Sequence, residues 1–471
     1  MKKFLFLFVL FLILACNKSK QQVDTIVTNA TVYTVNSNFE TAEAFAIKDG
    51  KFLEIGNTKT ILEKFDSNNI IDVKNQTIVP GLIDAHCHFY GLGLYKQRVN
   101  LVGTTSFVDV VKRVTNFQDQ KNMSFIIGRG WDQNDWEIKE YPSKKLLDEL
   151  FPNTPVALSR IDGHAMLCNQ AALNLAGITN KTKIEGGEIL TKNGELTGVL
   201  IDNPMELVEA IYPKPTRKEQ INALLEAQAY CTNLGLTTVS DAGLNKSVIE
   251  LIDSLQKANT LNMRVYAMLS NTKENLDYYL PKGKIKTQKL NVQSVKVYAD
   301  GALGSRGATL KKEYSDKHNH FGAMVIGLDD YQQLAKRIEN AGYQMNTHAI
   351  GDSANRFVLN TYEKTLAGKK DKRWRVEHAQ VITDNDFEYF TNKNIIPSIQ
   401  PTHATSDMYW AEERLGTQRI KGAYAYKTLL NKSGKVALGT DFPVEQVSPF
   451  LTFYAAVSRQ DLKGFPEGGF N

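Results

Sequence analysis

The chain has 471 residues, 42% of them hydrophobic and 23% charged, with a formal net charge of +5. That length and apolar share support a large single-core domain with a smaller companion. No basic stripe interleaved with aromatics runs through the sequence, which argues against nucleic acid as a partner. The short basic run "KKDKR" at 369–373 reads as a solvated loop.

The first residues read as a targeting segment. Lys2 and Lys3 precede an apolar run of about 12 residues, the length of a signal core and too short to span a bilayer. The run closes on "LILAC", which resembles a bacterial lipobox. On that reading residues 1–15 are removed, Cys16 is lipidated, and 16–23 are a polar tether holding the protein to a membrane of the cell envelope. An ordinary secretory signal with an incidental cysteine is the other reading. Loss of Lys2 and Lys3 lowers the net charge from +5 to +3. Cys87, Cys168 and Cys231 remain. They are odd in number and lack CxxC spacing, so no disulfide framework is indicated.

Residues 24–79 read as short strands with turn punctuation. "TIVTNATVYTV" alternates at period two, and "EAFAIKDGKFLEIGN" is a hairpin pattern turning at Asp49-Gly50. From residue 80 the texture changes to short apolar runs separated by helical stretches, the mark of a parallel α/β arrangement. Eight candidate strands follow: 81–89, 236–243, 263–269, 294–301, 343–349, 374–380, 395–401 and 436–443. Eight strands with intervening helices suit a (β/α)8 TIM-like barrel, whose strand C-termini carry the active site. The interval 102–235 is too long for a simple crossover and reads as an inserted subdomain that could cover or shape the site.

Polar residues at those strand ends carry the chemistry. His86 and His88 in "GLIDAHCHFY" lie two apart, so both can face one metal while Cys87 faces away. Lys296, flanked by Val295 and Val297, is costly there if charged. It either pairs with a carboxylate such as Asp300 or is a desolvated, reactive amine. His348 ends the fifth strand, His378 the sixth and Asp441 the eighth. Any one of them alone could be a hydrogen-bonded core group. Asp84 could orient a ligand or merely close a strand end.

As an ordered set, "GLIDAHCHF", "VKVYADGALGSRGA", "NTHAIGDSA", "RVEHAQ" and "LGTDFPV" resemble the amidohydrolase superfamily. The closer resemblance is to its YtcJ-like branch (amidohydrolase family 3), which includes N-substituted formamide deformylases. The resemblance covers the chain from about residue 24 onward. It implies a metal-dependent hydrolase with a distorted barrel and a small β-sandwich domain. It places His86 and His88 as ligands of one metal, Lys296 as a carbamylated bridge, and His348 and His378 as ligands of a second metal. It also implies that Asp441 is the aspartate that binds metal and carries the proton. Imidazole and carboxylate donors suit zinc, without excluding manganese or iron. The expected reaction is hydrolysis of an amide-like C–N bond in a small molecule, cyclic amides included. A lipoprotein that binds a small molecule without turnover is the non-enzymatic alternative.

His164, in "RIDGHAMLCN", reads as a substrate contact or carbonyl-polarising group, or as a structural hydrogen-bonding residue. Arg306 could bind an anionic substrate group or pair with a nearby carboxylate. Trp131 and Trp136 read as core packing, and His318, His320 and His403 receive no role. The branch usually continues beyond the point where "FPEGGFN" ends, so a shortened C-terminus and an incomplete small β domain are expected. The oligomeric state is open.

Overall fold

The computed structural model describes residues 19–160, 165–184, 187–202, 204–304 and 306–470. The chain divides into two compact units, Met1–Leu82 and Ile83–Asn471.

In the first unit a four-stranded sheet runs in the order Lys51–Gly56, Ala44–Lys48, Thr25–Thr28, Ile70–Asp72. Strand alternation sends Ile26, Ala44 and Ala46 to one face, where Ile61 of the helix Thr58–Lys64 packs. Val27 and Phe45 go to the other face, against Val32 and Ile78 of a three-stranded sheet. The hairpin turns at Asp49-Gly50, with φ of 51° and 70° and Lys48 opposite Lys51. Two positive φ angles in a two-residue loop match the right-handed strand twist, which is why Gly follows Asp there.

The second unit holds eight parallel strands in sequence order. They are β1 Leu82–Cys87, β2 Leu236–Leu244, β3 Arg264–Ser270 and β4 Leu290–Tyr298. Then follow β5 Gln344–Ala349, β6 Trp374–His378, β7 Ile395–Ile399 and β8 Ala437–Leu438. The result is a nearly closed barrel. The residues after β8 complete the closure: Asp441 N donates to His86 O at 2.8 Å, and His88 N to Phe442 O at 2.8 Å. A Cβ on Gly439 would sit 2.5 Å from His86 N, so only glycine lets the seam close this tightly. Asp84 locks the same seam. Its carboxylate accepts from Thr440 Oγ1 at 2.7 Å, and from Thr440 N and His86 N, both at 3.1 Å. Asp84 therefore acts through the backbone, as a strand-end clamp, and burial pushes its carboxyl up to about 6.

Outward side chains fix the strands from behind. Thr347 of β5 shares hydrogen bonds with Tyr331 and Tyr362, at 2.9 and 2.7 Å. Cys87 faces away from His86, its thiol 3.5 Å from Ser240 O and pushed up by burial.

The stretch between β1 and β2 contains a six-stranded sheet from Val99–Asn100 to Glu195–Asp202, parallel at one end and antiparallel at the other. Hydrophobic clusters cover both faces. Trp131 and Trp136 sit in one of them, 6.1 Å between ring centroids. Their indole N–H groups donate to Leu158 O at 2.6 Å and Thr104 O at 3.1 Å. Phe89–Lys96 (α1) and Arg217–Asn233 (α2) belong to the helical layer of the barrel and pack on each other. Thr216 and Glu219 form a reciprocal capping box at the start of α2. The inserted sheet thus lies ahead of α2.

Candidate active site

A cavity of about 380 Å³ opens at the C-terminal ends of the strands. His86, His88, Lys296, His348, His378 and Asp441 all line it. Six positions spread over 356 residues of sequence therefore meet because their strands end on one rim.

His86 is fully buried between two partners. Its Nδ1 lies 2.5 Å from Glu377 Oε2 and its Nε2 lies 3.1 Å from Lys296 Nζ. Burial, reinforced by Lys296, lowers the imidazole to about 4, so it is neutral at pH 7. Nδ1–H then donates to Glu377 and the Nε2 lone pair faces the cavity, the tautomer a metal ligand requires. Glu377 in turn accepts both forks of Arg375, at 2.6 and 2.8 Å. Burial opposes its charge, but Arg375 and His86 outweigh burial and hold it well below the usual carboxylate range. Arg375 also donates to Ala85 O at 2.7 Å and Ser398 Oγ at 3.1 Å, tying β6 to β1 and β7.

Asp441 joins the two halves of the site. Its Oδ1 lies 3.1 Å from His88 Nε2 and 3.5 Å from His86 Nε2; its Oδ2 lies 3.3 Å from His403 Nε2. Burial works against its ionisation, but His403 and His88 hold it well below the usual range. His403 stands on the helix Pro401–Asp407 after β7, with Glu445 Oε1 3.0 Å from its Nδ1. Two carboxylates overcome the penalty of burying a charge and raise His403 to about 10. His348 approaches Gly301 O at 3.4 Å, and burial lowers it to about 3. His378 is likewise held neutral, first by burial and then by His348, whose ring centroid is 4.5 Å away.

The backbone is strained where the ligands are presented. His378, Ala379 and Asp441 have φ of 72°, 43° and 61°. Each such non-glycine angle costs about 1–3 kcal/mol and persists only where its surroundings enforce it. In a regular strand Glu377 and His378 would point to opposite faces. The left-handed turn at His378 brings both to the site, with His86 and His378 rings 5.0 Å apart. Asp241, in the C-terminal half of β2, accepts Tyr90 N at 2.9 Å and so caps α1, directly after His88. Burial raises its carboxyl to about 6.

The donor set fits a metal. His86, His88 and Asp441 each place one donor atom within 4.8 Å of the others; His378 and Asp441 form an equally compact group with His403, whose ring nitrogens both face carboxylates. His378 Nδ1 and Asp441 Oδ1 are buried without a well-formed hydrogen bond. Orphaned lone pairs of this kind are costly unless something electropositive satisfies them. Lys296 is buried, and burial lowers its amine to about 8. It lies below the rim, with its Nζ on the cavity floor beside His86.

Arg306 takes no place in the cavity. It forks onto Asp316, at 3.1 and 2.7 Å, and Arg414 grips the same carboxylate. The carboxylate-pairing alternative for this residue is the arrangement observed. His164 and Cys16 lie outside the described residues. Glu377 and His403 escaped the sequence reading. The first could have been found from Arg375 and Glu377 spaced two apart inside an apolar strand, a charged pair with no other place to go. The second lies four residues beyond β7, on a helix and past the strand-end pattern.

Fold and site together define a metal-dependent hydrolase of the barrel type. The chain belongs to the amidohydrolase family, whose sequence pattern matches residues 69–467. It is 34% identical to protein LONG AFTER FAR-RED 3 of Arabidopsis thaliana, covering 93% of this chain and 78% of that one. It is 32% identical to the putative amidohydrolase YtcJ of Bacillus subtilis, covering 91% and 82%. The N-substituted formamide deformylase of Arthrobacter pascens is 24% identical, covering 95% and 85%. An uncharacterized metal-dependent hydrolase from Pyrococcus furiosus superposes with a TM-score of 0.78 at 28% identity, covering 92% of this chain and 88% of that structure.

Proposed function

We propose that this protein hydrolyses the C–N bond of a small amide-like substrate. The observation that carries the reading is the convergence of neutral imidazoles, a buried lysine and one strained aspartate on a single cavity. His86, His88, His348, His378 and Asp441 would hold metal, with zinc the ion their donors suit and two ions the proposed stoichiometry. Lys296, buried and beside His86, is proposed to bridge as its carbamate. When bound, the metal supplies Lewis acidity toward the carbonyl and lowers the pKa of water.

The chain's own groups move the proton. Asp441 takes it from the attacking water and returns it to the leaving nitrogen. His403, against Asp441 Oδ2, holds that carboxylate in place, and Glu445 holds His403. Glu377 fixes the His86 ring, and Arg375 fixes Glu377. His164 is proposed to contact the substrate carbonyl. The protein is also proposed to be exported and lipid-anchored at Cys16; incorporation of labelled fatty acid by the wild type and not by Cys16→Ala tests this.

The test of the main reading is metal analysis of the full-length protein with turnover of formamides, N-acyl amines and cyclic amides. At least one ion per chain and release of an amine are expected. Metal content well below one per chain, or no turnover across the panel by loaded protein, overturns it. Lys296→Ala should lose metal and recover part of it with a small carboxylic acid; unchanged metal content refutes the bridge.

A further inference from the structure

The opposite pole of the barrel has a different chemistry. The strands start there, and basic residues far apart in sequence crowd those starts. Lys282, Lys284, Lys286 and Lys289 precede β4. Lys369, Lys370, Lys372 and Arg373 precede β6, and Lys432 and Lys435 precede β8. Read singly, each run is a solvated loop. The fold brings the first two together around a cleft of about 500 Å³ lined by Lys284, Lys370, Lys372 and Arg373, with Asp371 its one acidic wall residue among those described. Carboxylates nearby are already taken: Glu339 by Lys369 and Lys372, Asp371 by Arg373, Glu388 by Lys432. Lys284 and Lys370 are exposed and have no carboxylate within ion-pair distance among the described residues.

We propose that this pole docks on an anionic phospholipid surface, with the cleft receiving phosphate headgroups. Charge complementarity carries the choice of partner. Strand starts of a barrel share one rim, so their lysines can meet a flat surface together. Lysines close to such a surface each add to binding, and the attraction decays within a Debye length. The catalytic cavity, at the other pole, would face away from the lipid and stay open to substrate. The surface is independent of lipidation at Cys16.

The experiment uses residues 17–471, which keep every described element and lack the candidate lipid site. Sedimentation with phosphatidylcholine vesicles containing phosphatidylglycerol should carry the protein down at low salt, and pure phosphatidylcholine vesicles should not. Lys284→Glu with Lys370→Glu should weaken partitioning by about 10-fold or more, and high salt should abolish it. Lys312→Glu with Lys317→Glu, in the loop after the C-terminal end of β4, should have little effect. Equal binding to neutral vesicles, no binding to anionic ones, or equal losses from the two double variants overturns the proposal.

Discussion

The inserted sheet and the mouth of the barrel both bury polar groups, and they treat them in opposite ways. In the sheet the described polar groups find partners. The indoles of Trp131 and Trp136 reach carbonyls, and Asn169 donates to Phe151 O and Thr154 O while accepting from Val156 N and Ala172 N. Among the described residues the sheet has no buried side-chain polar atom without a partner. At the mouth His378 Nδ1 and both amide atoms of Gln400 are buried and unpartnered. Three residues there also hold left-handed backbone angles. One region is built to be stable by itself; the other keeps unsatisfied groups in position for something it must bind.

That contrast predicts how substitutions should divide. Asp441→Asn should cut kcat by about a thousand-fold or more, the scale of losing a general base, while the fold is retained. A large fall in stability instead would mean the mouth is held together like the sheet. Trp131→Ala should do the reverse, costing about 3–5 kcal/mol in denaturant unfolding with metal per folded chain unchanged. Metal loss by the folded variant would break the separation.

The buried acid Asp241 sharpens the comparison through pH. Its carboxyl is raised to about 6 in the fold against an ordinary 3.8. The folded state therefore holds its proton more tightly than the unfolded chain. The stability it contributes is complete below about pH 4 and is lost as pH rises through 6. The full loss is up to about 3 kcal/mol. Because other buried groups titrate in the same window, the readout is the difference between proteins: across pH 4–7 metal-free wild type should lose stability relative to Asp241→Asn by about that amount, and parallel pH profiles of the two would assign the effect elsewhere. The smallest effect is expected for Glu377→Gln, which keeps the shape but weakens the grip on His86 Nδ1–H and leaves Arg375 half paired. Metal affinity should fall about 10–100-fold by competition with a chelator. Unchanged affinity would make Glu377 part of a structural ion pair only.

Much of this was legible in the sequence because barrels repeat. All eight strands were found by their apolar runs, since a strand buried on both faces cannot hide its composition. That His86, His88, His348, His378 and Asp441 would gather on one cavity was legible because they stand at the ends of those runs, and Lys296 because it interrupts one. Glu377 was not, because alternation assigns it and His378 to opposite faces, and only the φ of 72° at His378 reconciles them. His403 was not, because it stands on a helix rather than a strand. The basic cleft was not, because its two halves are separate loops until the fold joins them.

The closing seam has a consequence for when the protein becomes active. Asp84 and Thr440 are 356 residues apart, yet their bond aligns His86 with Asp441. A ribosome must have made almost the whole barrel before any version of the complete site can exist. Contacts this distant in sequence form late in folding. A growing chain, even one whose first unit and inserted sheet have already folded, therefore stays catalytically silent until its last strand arrives.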